Sequence, residues 1–366
     1  MFTKSQAKFA KSVSDLIECN PFLPRRIELE KRALGKDFDP VDADWNLHPS
    51  WQMANANLEL LHRRAKQIIQ QSNDDRSFVH DDSTIAMQLD LARFAIFSDF
   101  RADFEAMVDN DGKTTPQVFA RFEKAWQLYC PPERFPDSIN DQVPHIFALL
   151  FQIRRAFNNV FQKIIGSCGS IINLRANVWR SIFTHDVRRY NDSMFGSMCD
   201  FPTLITGPTG SGKELVAQAV GLSGYVPLNP KTNKWATPLS KLFTSLNLSA
   251  LSPTLIESEL FGHKKGSFTG AIQDREGWLE ACPKYGSVFL DEIGELDPEI
   301  QVKLLRVFED RVFQRIGDTK PQRFEGRIIA ATNRDLPTEI EAKRFRMDFY
   351  YRICACLLYT SPSPRD

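Results

Sequence analysis

The sequence predicts an α/β fold, a parallel sheet flanked by helices, preceded by a mostly α-helical domain. Two observations predict it. From about Phe201 short β-type runs alternate with helical ones, and strands that alternate with helices pair in parallel under a cover of helices. Before that point apolar residues recur at helical spacing, and strand-like alternation is hard to find. A chain of 366 residues is long enough for two folded units, each with its own core.

In the first half Phe9, Val13, Leu16 and Ile17 share one helical face, as do Leu58, Leu61, Ala65, Ile68 and Ile69. A later stripe runs through Ile146, Leu149, Ile153, Phe157, Val160 and Ile164. Breaks at Asn20-Pro21, Asn110 to Gly112, Pro131-Pro132 and Gly166 to Gly169 separate these helices. Many of the 28 phenylalanines lie here. Such a stripe either lines a ligand pocket or fills a bundle core, and core filling is the commoner use. His48, His62, His80, His145 and His185 have no partner at metal-ligand spacing, which favours structural or surface roles.

Composition narrows the class without naming a function. With 46 basic and 46 acidic residues the net charge is zero, so global charge gives no argument for binding a nucleic acid or a membrane. The seven cysteines show no C-x-x-C pair, so neither a zinc site nor a disulfide framework is indicated, and a reducing cytoplasm fits best. Met1 to Ser12 lacks the apolar core of a signal peptide. Apolar runs such as Ile146 to Phe151 are too short to cross a bilayer.

The second half carries the chemistry. The strand Thr203 to Thr206 leads into Gly207-Pro208-Thr209-Gly210-Ser211-Gly212-Lys213-Glu214 and then a helix through Leu215, Val216 and Ala219. Strand, glycine loop and helix together make a phosphate-binding loop, in which backbone amides and the helix N-terminus converge on phosphate oxygens. Lys213 is expected to reach the β- and γ-phosphates. Glu214 stands where a hydroxyl usually meets magnesium, and a carboxylate is able to hold the ion directly or through water.

A second apolar strand around Val288 to Leu290 ends in Asp291-Glu292. Downstream of a phosphate loop this pair reads as a magnesium ligand, Asp291, and a group that polarises the attacking water, Glu292. Further strands are expected at Ser245 to Leu248 and at Arg327 to Ala331, the latter running into Thr332-Asn333-Arg334-Asp335. Asn333 either makes an ordinary turn or senses the γ-phosphate, and its spacing from the other motifs favours the sensor. Arg346 and Arg352 are read either as surface ion pairs or as fingers acting on a neighbouring subunit.

Taken in order, G-P-T-G-S-G-K-E, the segment Glu257-Ser258-Glu259-Leu260-Phe261-Gly262-His263, G-S-F-T-G-A, F-L-D-E-I-G-E-L, A-T-N-R-D-L and F-R-M-D-F-Y-Y-R resemble the AAA+ ATPase domain of bacterial sigma-54-dependent activators. The resemblance covers Phe201 to Arg352. It implies an ATPase using ATP and Mg2+, working as a homo-oligomeric ring, expected to be a hexamer. Lys213 would serve the phosphates, Asp291, Glu292 and Glu214 the metal and water, Asn333 the first sensor, and Arg346 and Arg352 the fingers. Asn247 matches the asparagine held to restrain the catalytic glutamate. Gly266, Ser267, Phe268, Thr269, Gly270 and Ala271 match the family's G-A-F-T-G-A loop, which contacts sigma-54 and remodels the closed RNA polymerase promoter complex. A Gly-flanked exposed Phe-Thr pair suits that use. A second loop is expected near Arg315 to Arg323.

The division expected is 1-175 as a helical regulatory domain, 176-355 as the AAA+ domain, and 356-366 as an adapter-derived artefact, since C-L-L-Y-T-S-P-S-P-R-D resembles a translated transposon adapter. On that division the family's helical lid and its DNA-binding helix-turn-helix are missing, DNA contact belongs to the complete protein only, and hydrolysis by this chain is expected to be weak. No pattern in the first half earns a response-regulator label. Competing readings are another AAA+ remodeller and a nucleotide-gated scaffold, and the G-S-F-T-G-A loop discriminates against the first.

Overall fold

A computed structural model describes residues 2–41, 55–75, 81–113 and 116–360. The chain divides into two compact units. One comprises Met1–Ala176 with two short returns, His185–Asn191 and Val226–Ala236; the other comprises Asn177–Thr184, Asp192–Tyr225 and Thr237–Asp366.

The first unit is helical. Its helices are α1 (Lys4–Glu18), α2 (Arg25–Leu34), α3 (Ala56–Asp74), α4 (Asp82–Asp99), α5 (Arg101–Asp109), α6 (Pro116–Tyr129), the single turn α7 (Asp137–Asn140) and α8 (Val143–Lys163). Helix α9 (Gly169–Phe183) and the turn α10 (Val187–Arg189) follow. Starts are set by local chemistry. Thr3 and Gln6 form a reciprocal capping box on α1, and Asp81 accepts from the Thr84 amide at 2.7 Å on α4.

Helix α8 is buried nearly all round, as a central helix should be. Against it the phenylalanine stripe fills the core: Phe104, Phe122 and Phe147 are inaccessible, and Phe122 meets Phe147 edge-on at 5.0 Å. Of the histidines, His62 pairs with Asp99 and His145 with the Asn191 carbonyl, while His48 and His80 lie outside the described residues.

Strands β2 (Leu228–Asn229) and β3 (Lys234–Trp235) form a small hairpin that belongs to this helical unit. The Trp235 indole stacks on Phe151 at 4.9 Å and donates to the Gly112 carbonyl at 2.6 Å.

The second unit is built on a sheet of order β4-β5-β8-β1-β9, all parallel. Its strands are β1 (Thr203–Thr206), β4 (Phe243–Asn247), β5 (Ser287–Asp291), β8 (Arg327–Thr332) and β9 (Cys356–Tyr359). Every residue of β8 is buried, the signature of a strand covered on both faces. The flanking helices are α11 (Lys213–Gly221), α12 (Pro253–Phe261), α13 (Trp278–Ala281), α14 (Pro298–Asp310), α15 (Leu336–Glu341) and α16 (Met347–Ile353). A two-stranded ribbon, β6 (Val312–Phe313) with β7 (Gln322–Arg323), stands apart. Leu204, Leu290, Leu304 and Ile353 share one apolar core.

The fold class expected from the sequence is the one observed. Within it β4 begins at Phe243, earlier than expected, because its register runs from Phe243↔Ser287 to Asn247↔Asp291. Residues 356–359 of the adapter-like segment pair with β1 at the sheet edge, from Thr203↔Cys356 to Thr206↔Tyr359. An edge strand requires only backbone groups, so this pairing is independent of where the segment came from. Residues 361–366 lie outside the described residues. Among the described residues no helix is long and apolar enough to cross a membrane.

Candidate functional site

Parallel strands deliver their carboxyl ends to one edge of the sheet, and three neighbouring strands here end in polar motifs. After β1 the chain turns through Gly210 at φ 79° and Gly212 at φ 82°, left-handed positions that favour glycine, and α11 starts at Lys213. Lys213 is buried, and its Nζ donates to the carbonyls of Gly207 at 3.1 Å and Pro208 at 3.2 Å. Glu214 lies in the first turn of α11 and accepts from Gln218.

Strand β5 delivers Asp291 and Glu292. Glu292 is the residue that leaves the strand, with φ 57°, and its amide donates to the Asp291 carboxylate at 3.1 Å. One Glu292 oxygen lies 3.9 Å from Lys213 Nζ, and the other accepts from the Asn333 amide at 3.1 Å. Burial pushes the Asp291 carboxyl above its usual range, repulsion from Glu292 adds to that, and Glu214 acts in the same direction. A half-buried carboxylate under such repulsion is suited to a cation.

From β8, Asn333 Nδ2 donates to the Thr209 hydroxyl at 2.9 Å. The site residues Thr209, Lys213, Glu292 and Asn333 are therefore joined in one network. Asn247 sits beside Asp291 in the sheet register, but its side chain accepts from the amide and hydroxyl of Ser249, at 3.0 and 2.8 Å. In this structure Glu292 is held by Asn333 and Lys213.

Residues present match a magnesium nucleotide by their donor set. Left-handed glycines turn amides towards one point, a buried lysine offers charge, and Asp291 with Glu214 offers hard oxygen ligands. Among the described residues no group of three or more His, Cys, Asp or Glu is placed to hold a metal by itself.

Arg346 and Arg352 differ. The Arg352 guanidinium donates through Nε and Nη2 to the Phe308 carbonyl near the end of α14, at 3.0 and 2.7 Å. Arg346 is half-exposed and pairs with Asp348, two residues on. Its amide donates to Gln301, a buried residue that sequence reading missed. The signal was a polar side chain on the apolar stripe Ile300, Leu304, Val307 and Phe308.

The loop Gly266–Ala271 closes on itself, with the Gly266 amide donating to the Ala271 carbonyl at 2.8 Å and the Ala271 amide to the Phe268 carbonyl at 3.0 Å. Thr269 is exposed. Phe268 departs from the expected exposed pair: it is half-buried, its ring edge-on to His263 at 5.0 Å, because an apolar ring finds the buried imidazole below it. His263 is in turn fixed by Ser258 at 2.7 Å. The second loop bridges β6 and β7 and is tied to the first, since Lys264 donates to the Ile316 carbonyl and Ile316 to the Gly262 carbonyl. Ser267 packs against Gly317 of that loop.

Residues 185–359 match the family described as Sigma-54 interaction domain. This segment carries the likeness to sigma-54 interaction domains. Over 150 residues the chain is 46% identical to the Nif-specific regulatory protein of Azotobacter vinelandii, covering 41% of this chain and 26% of that protein. It is 46% identical over 163 residues to the anaerobic nitric oxide reductase transcription regulator NorR of Salmonella paratyphi C, covering 44% of this chain and 30% of NorR. Identity to the hydrogenase transcriptional regulatory protein HoxA of Bradyrhizobium diazoefficiens is 46% over 156 residues, covering 43% of this chain and 30% of HoxA. The chain thus spans 26 to 30% of the length of these relatives. The matched segment takes in most of the sheet unit with both loops, together with the returns His185–Asn191 and Val226–Ala236 of the helical unit.

Proposed function

We propose that the protein hydrolyses ATP in a homo-oligomeric ring, expected to be a hexamer, and uses the energy to open promoter complexes of sigma-54 RNA polymerase. The observation that carries the reading is Glu292, set between Lys213 and Asn333 at the carboxyl edge of the sheet. Magnesium bound with the nucleotide would neutralise phosphate charge. Asp291 and Glu214 would hold it, Lys213 would bind phosphate oxygens, and Glu292 would orient the attacking water.

Asn333 touches both the phosphate loop and Glu292, so a change at one is felt at the other. Arg346, whose exposed guanidinium pairs with Asp348, a near neighbour in sequence, suits a residue presented to the next subunit better than Arg352 does. The loop Gly266–Ala271 would meet sigma-54 through exposed Thr269, with Phe268 leaving His263 to join it.

The test is transcription from a sigma-54 promoter by the complete protein and its Thr269→Ala variant. Loss of open complexes with ATP hydrolysis retained is expected. Activation that survives the substitution removes the loop's role.

A further inference from the structure

Gln301 is fully buried on a helix stripe that is otherwise apolar. An amide in that position is costly unless its donors and acceptor are all used. Gln301 uses them on three backbone groups outside its own helix. Its Nε2 donates to the Leu296 carbonyl at 2.7 Å and the Arg344 carbonyl at 3.0 Å, and its Oε1 accepts from the Arg346 amide at 2.8 Å.

Those groups belong to two functional segments. Leu296 closes the turn that begins at Glu292: the Glu295 amide donates to the Glu292 carbonyl, and the Leu296 amide to the Ile293 carbonyl. Arg344 and Arg346 flank Phe345, whose ring is buried against Phe349. The side chain of Gln301 is therefore a rigid strut from the acid turn to the backbone of Arg346.

We infer that Gln301 is a positioning residue for the reaction: it sets where Arg346 is presented relative to the acid turn, and so aligns the guanidinium for a neighbouring copy. This rests on the reading of Arg346 as a residue that acts on the neighbour's nucleotide. A leucine or methionine would fill the same space and leave the Arg346 amide without its acceptor. The Arg346 segment would then lose its tie to α14 and keep the bonds of Arg344 and Phe345 to Glu339, the Tyr350 amide on the Arg346 carbonyl, Phe345 packing and the exposed Asp348 pair; none of these fixes Arg346 against the acid turn, and its guanidinium would sample positions away from the next site.

Mixed rings of the complete protein separate this role from general support of the fold. Gln301→Met is expected to bind a fluorescent ATP analogue within about threefold of the wild type, because the phosphate loop is untouched, and to hydrolyse ATP at least about tenfold more slowly. Mixed with Lys213→Ala subunits, which bind no ATP but carry an intact Gln301 and Arg346, it is expected to regain hydrolysis at its own sites. Arg346→Ala, mixed in the same way, is the control.

Recovery of both mixtures supports the inference. Recovery of the Arg346→Ala mixture without the Gln301→Met mixture overturns it and leaves the functional reading intact. Failure of both mixtures overturns the trans role of Arg346 and the inference together. Undiminished hydrolysis by Gln301→Met alone also overturns it. If Gln301→Met fails to fold, Gln301→Leu, which also removes the acceptor of the Arg346 amide, is carried through the same mixtures and judged by the same outcomes.

Discussion

The Asn333 side chain donates to the Thr209 hydroxyl at 2.9 Å while the Asn333 backbone amide donates to Glu292 at 3.1 Å. One residue thereby links the phosphate loop of β1 to the acid delivered by β5. Asn333→Ala keeps the second bond and removes the first. A neutral hydrogen bond of this kind contributes about 1 kcal/mol, so the melting temperature should move little. ATP affinity should stay within a few-fold, while hydrolysis by the complete protein falls by about tenfold or more. Equal losses in binding and turnover would point instead to collapse of the loop.

Gly317 faces Ser267 across the two loops. A Cβ added at Gly317 would lie 2.6 Å from the Ser267 Cβ, and the backbone there has φ 76°, where L residues are strained. Gly317→Ala should therefore cost about 1–3 kcal/mol and separate the loops, read as increased protease cleavage between Lys264 and Ile272. Unchanged cleavage and stability would show that the loops move independently.

Asp99 gathers three donors on the helical unit: His62 at 3.0 Å, Lys66 at 3.0 Å and the Tyr129 hydroxyl. Burial alone would raise its carboxyl, but bonds from His62, Tyr129 and Lys66 outweigh that and hold it at about 2, against an ordinary 3.8. A depressed carboxylate stabilises the fold above its unfolded value and loses that contribution as pH falls through the folded one. The window is therefore from pH 3.8 down to about 2. After allowance for solvent screening the contribution at neutral pH is about 1 kcal/mol. Asp99→Asn should lower stability by that order at pH 7 and by much less at pH 2, measured by urea unfolding at both.

Trp235 lies in the sheet domain's sequence but packs within the helical unit, stacked on Phe151 and bonded to Gly112. Trp235→Ala should destabilise the helical unit by about 1–3 kcal/mol, since the indole is partly buried, with faster amide exchange along α8 around Phe147 and Phe151. Exchange unchanged in α8 would show that the hairpin is merely laid against the surface.

The sequence located the candidate site residues better than it foresaw their contacts. Lys213, Asp291, Glu292 and Asn333 were legible because each follows an apolar strand, and parallel strands bring such ends together without further information. Asn247 was placed correctly on the sheet, but a short acceptor side chain at a strand end captures the nearest amide and hydroxyl, here those of Ser249, and no spacing rule reveals that choice. Phe268 looked exposed between glycines until the fold put His263 beneath it. The hairpin at Trp235 was illegible for a different reason. Its Pro, Asn, Lys and Thr residues read as a loop, and only an aromatic core supplied by distant helices gives the indole a place. Gln301 was passed over because its value lies wholly in three backbone partners that are distant or unmarked in the sequence.

At Gly210 nothing lies within 4 Å of where the first side-chain carbon of an L residue would stand. Room is therefore not what reserves the position; φ 79° is. The restriction is one of chirality, because the same torsion is relaxed for a residue of opposite hand. A semisynthetic protein with D-alanine at this position would hold the turn with fewer unfolded alternatives than glycine allows, whereas ordinary L-alanine would strain it. The phosphate loop is in that sense a short stretch of mirror-image backbone that a chain of L-amino acids enters by means of glycine.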